Sequence, residues 1–150
     1  MGAQINLQRR VPPAGIPSAA ALRAWAQAAM DGTAGELTLR IVDETESARL
    51  NGRFRNRPDP TNVLSFAYDA EPLQGAGSGD LLGDVVICAP LVAREARAQR
   101  KPPRAHWAHL VVHGVLHLLG HDHLDPADAQ RMEAREREIL ATLGFADPYR

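Results

Sequence analysis

Ala105-His106-Trp107-Ala108-His109-Leu110-Val111-Val112-His113-Gly114-Val115-Leu116-His117-Leu118-Leu119-Gly120-His121-Asp122-His123 decides how this chain is built. Almost every position from 107 to 119 that is not histidine is apolar, so the segment reads as a helix from about residue 105 to 119 that other elements must cover. Gly120 supplies its end, because glycine tolerates the left-handed conformation used at helix C-termini. A central histidine-bearing helix of this kind needs a packed domain around it.

The histidines carry a second message. His113, His117 and His123 form an H-x3-H-x5-H frame. Residues one turn apart on a helix share a face, with Cβ atoms roughly 5–6 Å apart, so two imidazoles can reach one ion. The turn at Gly120 lets the chain bring His123 back over the same ion. Three protein ligands leave the fourth position open for water, the arrangement of catalytic rather than structural zinc. A histidine pair at this spacing on an exposed helix is commonplace. A third, placed after a glycine break in an apolar helix, is not, since buried histidines need partners. His109 extends the stripe one turn back and reads as a substrate-facing or hydrogen-bonded group. His121 points elsewhere, and His106 is given no role.

Outward from this helix the chain alternates strands and helices. Ile5 to Arg9 reads as a short first strand, stopped by Pro12-Pro13. Ser18 caps an alanine-rich helix from about Ala19 to Met30, closed by Gly32. Leu37 to Val42 has strand alternation. Asp43 or Thr45 caps a short helix through Leu50. Thr61 to Phe66 and Leu82 to Cys88 read as a sequential, antiparallel strand pair, joined by a glycine-rich connection over 71–80. Pro90 opens a helix to about Arg100, and Pro126 opens a last one to about Leu143, whose Arg/Glu face reads as solvated. The expected fold is a single α+β domain over 1–150: a small mixed β-sheet covered by about five helices.

Composition adds boundaries. A chain of 150 residues with 45% hydrophobic and 23% charged content suits one domain with a real core. A net charge of −1 announces no global nucleic-acid-binding field, so any such binding needs a local patch. No DNA partner and no membrane association are expected. The lone Cys88, inside Val85-Val86-Ile87-Cys88-Ala89, reads as a small buried hydrophobe and fits a reducing compartment. With no signal-peptide pattern and no bilayer-length apolar run, a cytoplasmic location is expected.

The spacing of histidines and glycine reproduces the H-E-x-x-H-x-x-G-x-x-H frame of metzincin-type zinc peptidases, except that position 114 is glycine. Glycine cannot take a proton from water. The lost base is worth about 10²–10⁴-fold, so a peptidase becomes the lesser reading. A different substrate is suggested by Arg49, Arg53, Arg55 and Arg57, followed by Asp59-Pro60-Thr61-Asn62. Guanidinium groups bind phosphate bidentately. Arg49, Arg53 and Arg57 are equally at home on a solvated face, and Arg9, Arg10 and Arg40 join the patch only if the fold brings them near.

Three stretches together resemble the YbeY family of bacterial rRNA-maturation endoribonucleases. Leu50-Asn51-Gly52-Arg53-Phe54-Arg55-Asn56-Arg57-Pro58-Asp59-Pro60-Thr61-Asn62-Val63-Leu64-Ser65-Phe66 is similar to its L-N-x-x-[YF]-R-x-x-x-x-P-T-N-V-L-S-F segment. Leu82 to Cys88 resembles its L-G-D-[IV]-x-I strand, and His109 to His123 its H-x-x-x-H-G-x-L-H-L-x-G-[YH]-D-H metal motif. The blocks occur in the family's order and account for most of residues 37–143; residues before about 35 carry no such signal. Pro58 stands where the family often has aspartate, and His121 where tyrosine is commoner. Neither change touches a ligand.

The resemblance implies a single-strand-specific, metal-dependent endoribonuclease acting in 16S rRNA 3′-end maturation and ribosome quality control, with rRNA and the small ribosomal subunit as partners. It makes His113, His117 and His123 the ligands of one Zn2+ and catalytic residues, and Arg55 the phosphate-facing catalytic residue. Arg53, Arg57 and His109 are further candidates for contacting substrate. Asp122 is favoured as hydrogen-bond acceptor for a ligand imidazole, with Asp122, His109 and His121 all open as general acids. The competing readings are another metallohydrolase, peptidase-like, or a non-catalytic ribosome-assembly factor with a structural metal.

Overall fold

The computed structural model describes residues 3–57, 59–67, 81–121 and 125–149. Within them the chain runs β1 (Ala3–Arg9), α1 (Ala19–Met30), β2 (Gly35–Val42), α2 (Glu44–Arg55), β3 (Val63–Ala67), β4 (Leu81–Cys88), α3 (Ala89–Ala98), α4 (Pro103–Leu118) and α5 (Pro126–Thr142). The strands form one sheet in the order β1-β2-β4-β3. β1 with β2 and β2 with β4 are parallel, while β3 runs antiparallel to β4, pairing Ser65 with Val85. This is the expected α+β domain with a mixed sheet and five helices. The connection over 71–80 lies outside the described residues.

Local chemistry sets the boundaries. Ser18 accepts a hydrogen bond from the Ala21 amide at the head of α1, and Asp43 accepts one from the Glu46 amide at the head of α2. α2 continues beyond Leu50, where the sequence reading ends it. The reason is tertiary. The Asn51 side chain is buried and donates to the Asp59 carbonyl at 2.8 Å, while its own carbonyl accepts from the Arg57 amide. The helix ends instead at Asn56, which takes the left-handed conformation.

The sheet sorts its side chains by alternation. Leu37, Leu39, Ile41, Val85 and Ile87 enter the main core with α1 and α4, whereas Val42, Leu64 and Val86 form a smaller cluster with Leu50 and Phe66. Helix α4 touches α1, α3, α5, β3 and β4, which makes it the central helix. Trp107, Val111, Val112, Val115 and Leu116 are all buried on it. Cys88 is fully buried, and burial pushes its thiol pKa up, so it packs as the expected small hydrophobe. No helix among the described residues is long and apolar enough to cross a membrane.

Candidate metal centre

Helix α4 begins after Pro102 and ends in a turn at Gly120, which has φ +99°. His109, His113 and His117 climb it at one-turn spacing, with ring centroids 6.0 Å and then 4.8 Å apart. Gly114 shows why glycine occupies the position where metzincins carry their base. A Cβ there would stand 2.5 Å from Val85 Cγ1 and 3.2 Å from Val63 Cγ2. Position 114 faces the sheet, and the helix can sit this close only without a side chain. Ser65 Oγ seals the contact by donating to the Gly114 carbonyl at 2.9 Å. A general base on this residue would point into the core rather than at an ion.

The opposite wall comes from α5. Glu136 has no exposed surface, although it lies between Arg135 and Arg137 on a face expected to be solvated. Its Oε2 accepts from His109 Nε2 at 2.6 Å and from the Tyr149 hydroxyl at 2.7 Å, and its Oε1 from His113 Nδ1 at 3.0 Å. Burial alone raises a carboxyl pKa, but the hydrogen bonds from His109 and His113 outweigh it and hold Glu136 down to about 2. Tyr149 is pushed up by its own burial and by the neighbouring carboxylate, so it stays a donor. The signal for Glu136 was present in the spacing: Met132, Glu136, Ile139 and Leu140 form one buried stripe. Nothing in the sequence alone pointed to Tyr149.

His109, His113 and Glu136 bring three ligand atoms within 4.8 Å of one another and could hold a metal ion. The donor chemistry fits: imidazoles in a row, with a buried carboxylate on one ring nitrogen, are the usual surroundings of a bound divalent metal. His123 and Asp122 lie outside the described residues. His121 is described, and among the described residues no hydrogen bond or ring contact ties it to this group. His106 is buried and bonds Glu95 at 2.9 Å, and Glu95 also accepts from Asn62 Nδ2, so His106 locks α4 to α3 and to the lead-in of β3. A cavity of about 310 Å³ opens beside the group, lined by Asn62, Lys101, His106, His109, His113 and Tyr149 among others. The Nδ1 atom of His109 is buried without a hydrogen-bond partner among the described residues.

The arginines gather elsewhere on the surface. A second cavity, about 580 Å³, is lined by Arg40, Arg53, Arg55, Phe54, Phe66 and Ser65 among others. Arg40 therefore does join Arg53 and Arg55, a proximity invisible in sequence. The Phe54 and Phe66 rings meet at 4.9 Å, and the Arg53 guanidinium lies over Phe54 at 5.4 Å. Arg49 and Arg57 are exposed and line neither cavity. Arg55 does not line the histidine cavity. β3 links the two: Val63 lines the first, Ser65 the second, and β3 is one of the two edge strands of the sheet.

The sequence profile described as Endoribonuclease YbeY matches residues 16–144. An Endoribonuclease YbeY of Halorhodospira halophila is 54% identical over 143 residues, covering 94% of this chain and 93% of the relative. The chain belongs to the YbeY endoribonuclease family. Another member, from Nitrosococcus oceani, is 49% identical over 151 residues, covering 99% of this chain and 98% of its own. The solution structure of TM1509 from Thermotoga maritima superposes with a TM-score of 0.58 at 20% identity, covering 98% of this chain and 99% of that one, and shows the same fold.

In and beside the YbeY-like stretches, several polar residues prove to be scaffold. Ser47 Oγ both donates to the Thr61 carbonyl and accepts from the Thr61 amide, each at 3.0 Å, and so pins α2 to the approach of β3. Asn51 and Asn62 fix the same approach from either side through Asp59 and Glu95. Gly83, at φ +148°, lies against the Phe66 backbone where β3 and β4 pair. These contacts fix β3 and its approach, which border both cavities.

Proposed function

We propose that this chain is a zinc-dependent endoribonuclease specific for single-stranded RNA. It would act in 16S rRNA 3′-end maturation and ribosome quality control on the small ribosomal subunit, in the cytoplasm. The observation carrying this reading is the histidine ladder of α4, with a buried carboxylate on His113, in a chain of the YbeY family.

His113, His117 and His123 would hold the ion, with Asp122 accepting a hydrogen bond from a ligand imidazole. Bound there, zinc supplies Lewis acidity toward a phosphoryl oxygen and makes a water acidic near neutral pH. Arg55, with Arg53 and Arg40 beside it, would take phosphate oxygens and offset charge developing on the scissile group. Phe54 and Phe66 offer an unpaired base a stacking face, which duplex RNA does not present. Arg57 extends the basic run, and His109 faces the cavity beside the ladder. Gly114 argues against a peptidase, because the residue that would carry its base packs against Val85.

The test is cleavage of a labelled single-stranded RNA spanning the 16S rRNA 3′ end by wild type and His117→Ala. Loss of cleavage in a folded variant supports the reading. Equal cleavage by both refutes it, and a variant that unfolds favours a structural metal.

A further inference from the structure

We propose that Glu136 is a positioning residue that fixes the tautomer and orientation of His113 for metal binding, and is not itself a metal ligand. The inference rests on the zinc reading above and assigns a residue that the histidine motif does not contain.

Three observations carry it. The first is burial without a lysine or arginine partner among the described residues. Glu136 is fully buried, and its three hydrogen-bond donors are two imidazoles and a phenol, with no lysine or arginine among them. A buried carboxylate is costly unless its lone pairs and its charge are answered. The donors answer the lone pairs, and a divalent cation on the far nitrogen of His113 would answer the charge. The second is distance. Ligand atoms around a tetrahedral zinc, each about 2.0–2.1 Å from the ion, lie roughly 3.3 Å apart. The separations from Glu136 to His109 and His113 are 2.6 and 3.0 Å, which are hydrogen-bond lengths. The third is the tautomer. A carboxylate on Nδ1 makes that nitrogen the donor and leaves Nε2 as the ring atom with a lone pair for the ion. His109 and Tyr149, both on Oε2, hold the carboxylate so that Oε1 stays aimed at His113.

Glu136→Gln keeps the shape but has one carbonyl oxygen in place of two, so one imidazole must face an amide N–H₂ group. The experiment measures zinc affinity by competition with a chromophoric chelator, and the visible spectrum of the cobalt(II)-substituted protein, for wild type, Glu136→Gln and His113→Ala. The folded Glu136→Gln variant is expected to bind zinc about 10- to 100-fold more weakly, with the cobalt band pattern of wild type because the ligand set is unchanged. A cobalt spectrum altered as in His113→Ala would make Glu136 a ligand and overturn the inference. Unchanged zinc affinity would overturn it as well. If Glu136→Gln fails to fold, Tyr149→Phe removes one donor to Oε2 at a partly exposed residue, and is expected to weaken zinc by a smaller factor. No weakening there would overturn the inference. A wild type that takes up neither zinc nor cobalt would remove the zinc reading itself. A wild type that binds zinc no better than Glu136→Gln would remove only the role of Glu136.

Discussion

Replacing Gly114 by alanine sets two physical effects against each other and asks which wins. At an exposed mid-helix site the substitution stabilises, by up to about 1 kcal/mol, because alanine loses less backbone entropy. Here the new methyl would stand 2.5 Å from Val85 Cγ1 and 3.2 Å from Val63 Cγ2. Carbon atoms pack best at about 3.5–4.0 Å, so about 1 Å must be recovered by moving something. Val85 is fully buried on β4 and stiff at χ1, and Ser65 ties the Gly114 carbonyl to β3. Forcing a methyl into a packed core costs about 1–3 kcal/mol, and the rigid neighbours place this site toward the upper end. The net expectation is a loss of about 1–2 kcal/mol, or on the order of 5 °C in Tm for a domain of this size. Thermal and urea unfolding followed by circular dichroism would measure it on metal-free protein. The double variant Val85→Ala/Gly114→Ala should be less destabilised than the sum of the two singles, by at least about 0.5 kcal/mol. A Gly114→Ala protein as stable as wild type would refute the packing account of position 114, and with it the argument that a glutamate there would face the core.

Other expectations follow from the same contacts. Gly83→Ala places a Cβ on the Phe66 carbonyl in a backbone conformation with φ +148°, so it should cost about 3 kcal/mol or more and show as poor soluble yield; wild-type stability would mean that β3 and β4 do not approach as described. Ser47→Ala strips both the amide and the carbonyl of Thr61 of a partner and should cost about 1–3 kcal/mol in urea unfolding; a loss below about 0.5 kcal/mol would show that water replaces the hydroxyl freely. Arg55→Ala should weaken single-stranded RNA binding and cleavage, reduce the salt slope of binding by about 0.7 and leave zinc affinity unchanged; intact RNA affinity would remove Arg55 from the substrate path.

Much of the fold was legible because local chemistry and tertiary need agreed. Ser18, Asp43 and Pro90 start helices as their side chains and rings dictate, and the alternation of Leu37 to Val42 matches its burial. The end of α2 was not legible, since Asn51-Gly52 is held helical by a hydrogen bond to Asp59, eight residues on. The histidine row was plain from its spacing. Its carboxylate partner was hidden because Glu136 stands between two arginines, and only its place in the Met132–Ile139–Leu140 stripe marks it as buried. Arg40 was out of reach altogether, because it meets Arg53 and Arg55 only once β2 and α2 are packed. Local signals thus give the elements and the histidine spacing on α4, while neighbours such as Arg40 come from chain crossings that spacing does not encode.

Titrating zinc into metal-free protein decides whether one ion bound by the histidine motif is needed to cut RNA. Metal content and cleavage of a labelled single-stranded RNA are followed in the same samples. Cleavage should be absent without metal, rise in proportion to bound zinc and level off at one equivalent per chain. Full cleavage by the metal-free protein, or none by the folded protein carrying one zinc, would contradict this.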